Sequence, residues 1–221
     1  AGYISENELT ALRGDVDIFA TFEGDNTVLA YAVDASGNQS LTDELMIKYK
    51  FVPALELIIA GHGKVNGAYN GQQFTIGRKV TVKAKPDEGY DLAHWQLRVD
   101  GVTNQFTERT LSFLMASNVS LTATFVDVAR PKLSFTTPKA GQQVTNSVFN
   151  MTGTVTDNGA GSNVWYRVNN GAWSKAGGWA LWSARVTLQP GENILDAYAV
   201  DAAGNISNTN QRSVTLTVPA P

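Results

Sequence analysis

Side chains able to do chemistry are few and scattered in this 221-residue chain. His62, in a Gly-His-Gly bend, and His94, beside Trp95, are the two histidines, and each stands without the partners that acid–base work or a metal set requires. No serine lies in a Gly-x-Ser-x-Gly elbow, no glycine loop precedes a helix to cradle phosphate, and no His-Glu-x-x-His occurs. Carboxylates pair in sequence at Asp87 with Glu88 and at Asp196 with Asp201, the arrangement a glycosidase would need. Asp201, however, recurs as Asp34 at the matching place before a Gly-Asn turn, where a carboxylate accepts backbone N–H bonds and fixes the turn. Asp157, Asn158 and Asp201 are the residues nearest to a calcium set, yet no loop has the dense Asp-x-Asp-x-Asp spacing. The expectation is a protein with no catalytic residues, no metal site and no cofactor.

Aromatic surface is the stronger signal. Trp165, Tyr166, Trp173, Trp179 and Trp182 fall within eighteen residues, including four of the five tryptophans. Flat indole faces stack on sugar rings, so such a density suits a glycan platform, with Arg167, Asn169 and Asn170 as hydrogen-bonding neighbours. Against this, immunoglobulin-type sandwiches commonly bury one tryptophan. Trp182 is assigned to the core. Strand alternation puts Trp165 and Tyr166 on opposite faces, and Trp173 and Trp179, flanking Ala176-Gly177-Gly178, are expected to be the exposed pair.

The elements that must position these residues are strands. Val80–Ala84, Val119–Phe125 and Val214–Val218 alternate apolar with small or polar residues, and turn signals such as Asp100-Gly101, Asn170-Gly171 and Pro190-Gly191 separate such runs. An all-β protein of short antiparallel strands follows, with a short helical fragment expected only around Glu6 to Arg13. Gly24–Ser40 (GDNTVLAYAVDASGNQS) and Gly191–Ser207 (GENILDAYAVDAAGNIS) align without a gap at eleven of seventeen positions, 167 residues apart. That separation is too wide for a stacked solenoid and indicates two copies of a compact domain with something different between them.

Three segments result: 1–50, 51–129 and 130–221. In the last, strands are expected at Lys132–Thr136, Val148–Val155, Val164–Val168, Ala184–Leu188, Asn193–Val200 and Gln211–Val218, which is sandwich spacing. Its order, TGTVTDN, VWYRVNNGAW, then LQPGENILDAYAVDAAGN, resembles the bacterial immunoglobulin-like domains. The first segment carries only the second half of that pattern. Its missing early strands imply a fragment of a longer protein, strands not seen, or strand exchange with another chain through residues 1–50. The middle segment, with GHGKVNGAYNGQQFTIGRKVTVKAKPDEGYDLAHWQLRVDG and TLSFLMASNVSLTATF, resembles the divergent InlB B-repeat family. That resemblance implies a small β-grasp-like module serving as spacer or interaction unit, in which neither histidine position is catalytic. Physically, Gly61 and Gly63 allow a tight bend, Tyr90 and Trp95 fill a small core, and Leu111, Phe113 and Met115 meet Leu121, Ala123 and Phe125.

Composition sets the remaining limits. Cysteine is absent, which excludes disulfides and thiolate sites. The formal net charge of −3 is spread over 17 basic and 20 acidic residues without a cationic stripe, so nucleic acid is not an expected partner. No apolar run approaches the ~20 residues that span a bilayer, so membrane insertion is not expected either. Taken with the resemblances, the expectation is an extracellular or cell-surface, secreted bacterial module string without enzyme activity, a stalk or adhesion region whose partners are a glycan or a cell-surface protein. A carbohydrate-binding accessory region of a secreted glycan-active enzyme and a fibre subunit completed by strand exchange are the alternatives. The prolines of Phe51-Val52-Pro53 and Ala129-Arg130-Pro131 shorten and stiffen both connections.

Overall fold

A computed structural model describes residues 24–159 and 161–218 of the chain. Every regular element among them is a strand, and no helix among them is long and apolar enough to cross a membrane. The helical fragment expected around Glu6 to Arg13 lies outside the described residues. The described residues are all-β, as the period-two patterning requires.

The first segment contributes β1 (Gly24–Ala30) and β2 (Asp43–Tyr49), paired antiparallel from Gly24↔Tyr49 to Ala30↔Asp43. Leu29, Leu45 and Met46 stand more than half exposed on this hairpin.

The middle segment folds into two facing sheets. One is built from β3 (Glu56–Ala60), β6 (Tyr90–Val99), β7 (Val102–Phe106) and β9 (Val119–Asp127), in the order β3-β9-β6-β7 with β3 parallel to β9. The other is β4 (Gly63–Asn66), β5 (Lys79–Pro86) and β8 (Thr110–Leu114), in the order β4-β5-β8. Their inner faces close one core in which Val80, Val82, Leu111, Phe113 and Met115 meet Leu121, Ala123 and Phe125 around a fully buried Trp95. The Trp95 indole N–H donates to the Glu108 carbonyl at 2.9 Å, so the largest core side chain leaves no polar atom unpaired. Gly61, between β3 and β4, has φ +86°, and a Cβ there would land on the Phe125 backbone carbonyl; this bend can be made only by glycine.

The third segment comprises β10 (Lys132–Thr137), β11 (Gln142–Val144), β12 (Val148–Thr156), β13 (Asn163–Val168), β14 (Ser174–Lys175), β15 (Gly177–Gly178), β16 (Leu181–Thr187), β17 (Gly191–Val200) and β18 (Asn210–Leu216). They form two sheets in the orders β10-β12-β16-β15 and β11-β18-β17-β13-β14. This is the immunoglobulin arrangement of an A-B-E-D sheet facing a G-F-C sheet, with β11 paired parallel to β18 at one edge. Trp182 lies in the core as expected, edge-on to Phe135 with ring centroids 5.2 Å apart. Leu195, Ala197 and Ala199 point inward from β17, and Val164 and Val214 cover them from the neighbouring strands.

Candidate functional site

The aromatic cluster divides between two faces. On β13 and β17 the direct cross-strand pairs are Trp165↔Tyr198 and Arg167↔Asp196, so these four side chains share one face of the five-stranded sheet. Tyr166 points the other way and packs against the core. Trp173 folds back onto the outer face, edge-on to Tyr198 at 4.7 Å, and the Arg167 guanidinium carbon sits 4.7 Å from its ring centroid. Arg167 is fixed there because its Nε donates to buried Asp196 at 2.8 Å, while Gln211 Nε2 donates to the other Asp196 oxygen at 2.9 Å. Trp165, Tyr198 and Trp173 with Arg167 thus make one partly buried aromatic face.

Trp179 does not join it. The chain leaves the five-stranded sheet after β14, turns through buried Ala176 and enters the opposite sheet at β15, so Trp179 projects from the β15–β16 hairpin and is 55% exposed. The expected pairing of Trp173 with Trp179 therefore falls on different sheets, and Trp173 is half-buried rather than free. Asn169 is likewise occupied: its Oδ1 accepts from Ile194 N at 2.8 Å and its Nδ2 donates to Asn193 Oδ1 at 2.9 Å. Asn170, at φ +59° in the adjoining turn, remains exposed. Tyr198, for its part, was missed in the sequence. Its alternation with Asp196 along β17, opposite Trp165 and Arg167, was the available signal.

The Asp196 and Asp201 carboxylates have structural partners. Asp196 is held as described, and Asp201 Oδ1 accepts from Asn205 N at 2.8 Å while its Oδ2 accepts from Asn205 Nδ2 at 2.9 Å. Asp87 and Glu88 lie exposed in the turn before β6, with Asp87 N donating to the His62 carbonyl at 3.3 Å. His62 itself is exposed and rests against the Tyr90 ring at 4.6 Å, and His94 is half-buried beside the bulge in β6.

A second site lies where the middle and third segments meet. The last residue of β9, Asp127, takes Ala129 N at 2.8 Å and Asn158 Nδ2 at 3.0 Å on Oδ1, and its carbonyl takes Asn205 Nδ2 at 3.2 Å. Val128 N and Ala129 N both donate to the Gly89 carbonyl. Gly89 has φ +82°, and a Cβ there would stand 2.7 Å from Asn158 Nδ2, so the two modules touch through this turn without a free linker. Asp127, Asp157 and Asp201 bring carboxylate oxygens within 4.8 Å of one another beside this contact. The expected turn-fixing role holds for Asp201, whereas the Asp157 carboxylate forms no hydrogen bond. Asp127, on the preceding module, could not be grouped with them from sequence, because only the docking of two modules brings it there.

No curated protein matches the chain. Among solved structures, the chain is similar to fibronectin(III)-like modules of CbhA from Clostridium thermocellum, at 12% identity over 77% of this chain and 95% of that one, with TM-score 0.37. It is also similar to a tetra-tandem repeat in the extending region of a large adhesion protein, at 16% identity over 88% of this chain and 57% of that one, with TM-score 0.37. A third is the sialic acid binding region of a Streptococcus sanguinis adhesin, at 13% identity over 88% of this chain and 56% of that one, with TM-score 0.28. Family models place the similarity more closely: residues 55–129 match the divergent InlB B-repeat domain and residues 131–219 match domain B of glucodextranase.

Proposed function

We propose that this chain is a non-catalytic spacer, a string of β-modules that holds another part of a larger bacterial surface or secreted protein at a distance. The observation that carries this reading is the junction between the middle and third modules. A connection closed by hydrogen bonds from the Asn158 and Asn205 amides to Asp127, with the Gly89 turn packed against Asn158, transmits orientation from one module to the next, as a stalk must and a flexible tether does not. The matches to two module types of different kinds support it, since spacers are commonly assembled from such units. Small-angle scattering tests it: the expected profile fits one extended shape with a fixed angle between the middle and third modules, and a profile requiring an ensemble of freely rotating modules overturns the reading.

A second reading has its own observation. The face formed by Trp165, Tyr198 and Trp173, with Arg167 fixed above Trp173, offers flat rings and a positioned donor, the combination that recognises a sugar. On affinity gels with soluble polysaccharides the wild type is expected to be retarded, and Trp173→Ala to lose most of that retardation while Trp179→Ala keeps it. Equal migration on every polysaccharide removes this reading and leaves the spacer role untouched.

A further inference from the structure

Three segments far apart in sequence deliver carboxylates to one point: Asp127 from the end of β9, Asp157 from the loop after β12, and Asp201 from the turn after β17, all within 4.8 Å. Like charges this close repel, and none of the three forms an ion pair with a lysine or arginine among the described residues. Arg130 and Lys132 line the adjoining recess of about 410 Å³ without reaching them.

Asp157 is the informative member. Both of its carboxylate oxygens are buried and neither meets a hydrogen-bond partner. A buried carboxylate with no partner is among the most unfavourable arrangements a fold can hold, and it persists where something else supplies the positive charge. Burial first, then the Asp201 charge, push its carboxyl above the ordinary range, with Asp127 adding to them; the nearby N–H groups of Asn158 and Gly159 oppose this without closing a hydrogen bond. The other two acids are pre-oriented, Asp127 by Ala129 and Asn158, and Asp201 by Asn205. Space is kept open as well: a Cβ on Gly159 would stand 3.3 Å from Asp127 Oδ2 and 3.6 Å from Asp157 Oδ2.

We propose that Asp127, Asp157 and Asp201 bind a calcium ion that ties the middle module to the third. An all-oxygen donor set carrying three formal negative charges, drawn from one strand end and two loops and completed by water, suits a hard cation with flexible coordination, and it suits calcium better than the smaller, strictly octahedral magnesium. Zinc would call for the nitrogen or sulfur ligands this cluster lacks. For its purpose the ion rests on the spacer reading, but its binding is a property of the junction alone, so failure of one is seen separately from failure of the other.

The full chain, stripped with EDTA, is titrated with calcium chloride by calorimetry and melted with and without the ion. One calcium per chain is expected, with a dissociation constant of roughly 10⁻⁴–10⁻³ M, as for extracellular modules. At about ten times that concentration the unfolding midpoint of the third module rises by roughly 5–10 °C. Asp157→Asn lowers the affinity at least about tenfold and, in EDTA, melts above the wild type because a buried charge has been removed. Asp34→Asn, in the equivalent turn of the first segment, leaves calcium binding unchanged. Absence of both heat and midpoint shift at about 10 mM calcium overturns the proposal, as does equal binding by Asp157→Asn. Should Asp157→Asn not fold, terbium reports instead: Trp179 lines a recess with Asp157, so tryptophan-sensitised emission that calcium displaces and Asp127→Asn abolishes is expected. Emission indifferent to both again overturns it.

Discussion

At the scale of single residues, polar side chains in this chain act as fasteners, and the two turns of the repeat make the same bonds. Asp34 Oδ1 accepts from Ser36 N at 2.9 Å and Asn38 N at 2.8 Å, and Asn38 Nδ2 donates to Oδ2 at 2.7 Å. The Asp201–Asn205 turn repeats the Asn contacts, and Ser40 and Ser207 each take the N–H eight residues back, from Ala32 and Ala199, at 2.8 Å. The Asn38 side-chain bond, followed by the Asn38 backbone N–H, holds the Asp34 carboxyl below its ordinary 3.8. Because the folded value is depressed, the turn's contribution is complete above the ordinary carboxylate range and is lost as pH falls through the lower, folded value. Amide shifts of Ser36 and Asn38 are expected to titrate with a midpoint below 3.8, and Asn38→Ala, which removes the side-chain bond and keeps the backbone N–H, to move it upward. Asn193 is a stronger fastener: fully buried, it donates to the carbonyls of Gln189 and Gly191 and accepts from Gln189 N and Asn169 Nδ2. Asn193→Ala strands these groups and should cost about 3 kcal/mol, lowering the third module's melting midpoint by roughly 12 °C or more; a drop of only one or two degrees would contradict this.

At the scale of elements, the first hairpin repeats the last one in both strands and register. Adding 167 to β1 and β2 gives residues 191–197 at the start of β17 and β18 itself, and the pairs Gly24↔Tyr49 and Gly191↔Leu216 coincide under the same shift. Alternation and turns made this legible, since AYAVDA followed by Gly-Asn carries both the inward face and the bend. The six long strands of the third module were legible for the same reason. Strands β11, β14 and β15 were not, because two or three residues hold no period, and β3 was hidden because its ELIIA sequence shows no clean alternation. The acidic cluster was only half legible: Asp157 and Asp201 lie in one module, but Asp127 joins them by docking. The bend after β3 gives the sharpest element-level expectation. Gly61→Ala combines a positive φ with collision against backbone that cannot yield, so it should destabilise the middle module by about 2–4 kcal/mol and leave the third module's transition in place. Calorimetric scans showing both transitions unmoved would refute it.

At the scale of the whole molecule, the middle and third modules have separate cores, so each can be stable without the other and the junction is free to be tuned independently. What joins them is polar: the Asp127 carboxylate accepts from the Asn158 amide, its carbonyl accepts from the Asn205 amide, and the Gly89 turn packs against Asn158. Polar contacts at a small interface restrict orientation more than they add stability, since each net hydrogen bond contributes only about 1 kcal/mol. Removing them should therefore change motion before it changes melting. In the double variant Asn158→Ala plus Asn205→Ala, nitrogen-15 relaxation is expected to show the two modules tumbling with separate, shorter correlation times, where the wild type fits one common tensor. Asn205 also braces Asp201, so the third module's midpoint should fall as well, by the few degrees that one or two part-buried hydrogen bonds represent. A variant that still tumbles as one body would overturn the assignment of the coupling to the Asn158 and Asn205 amides.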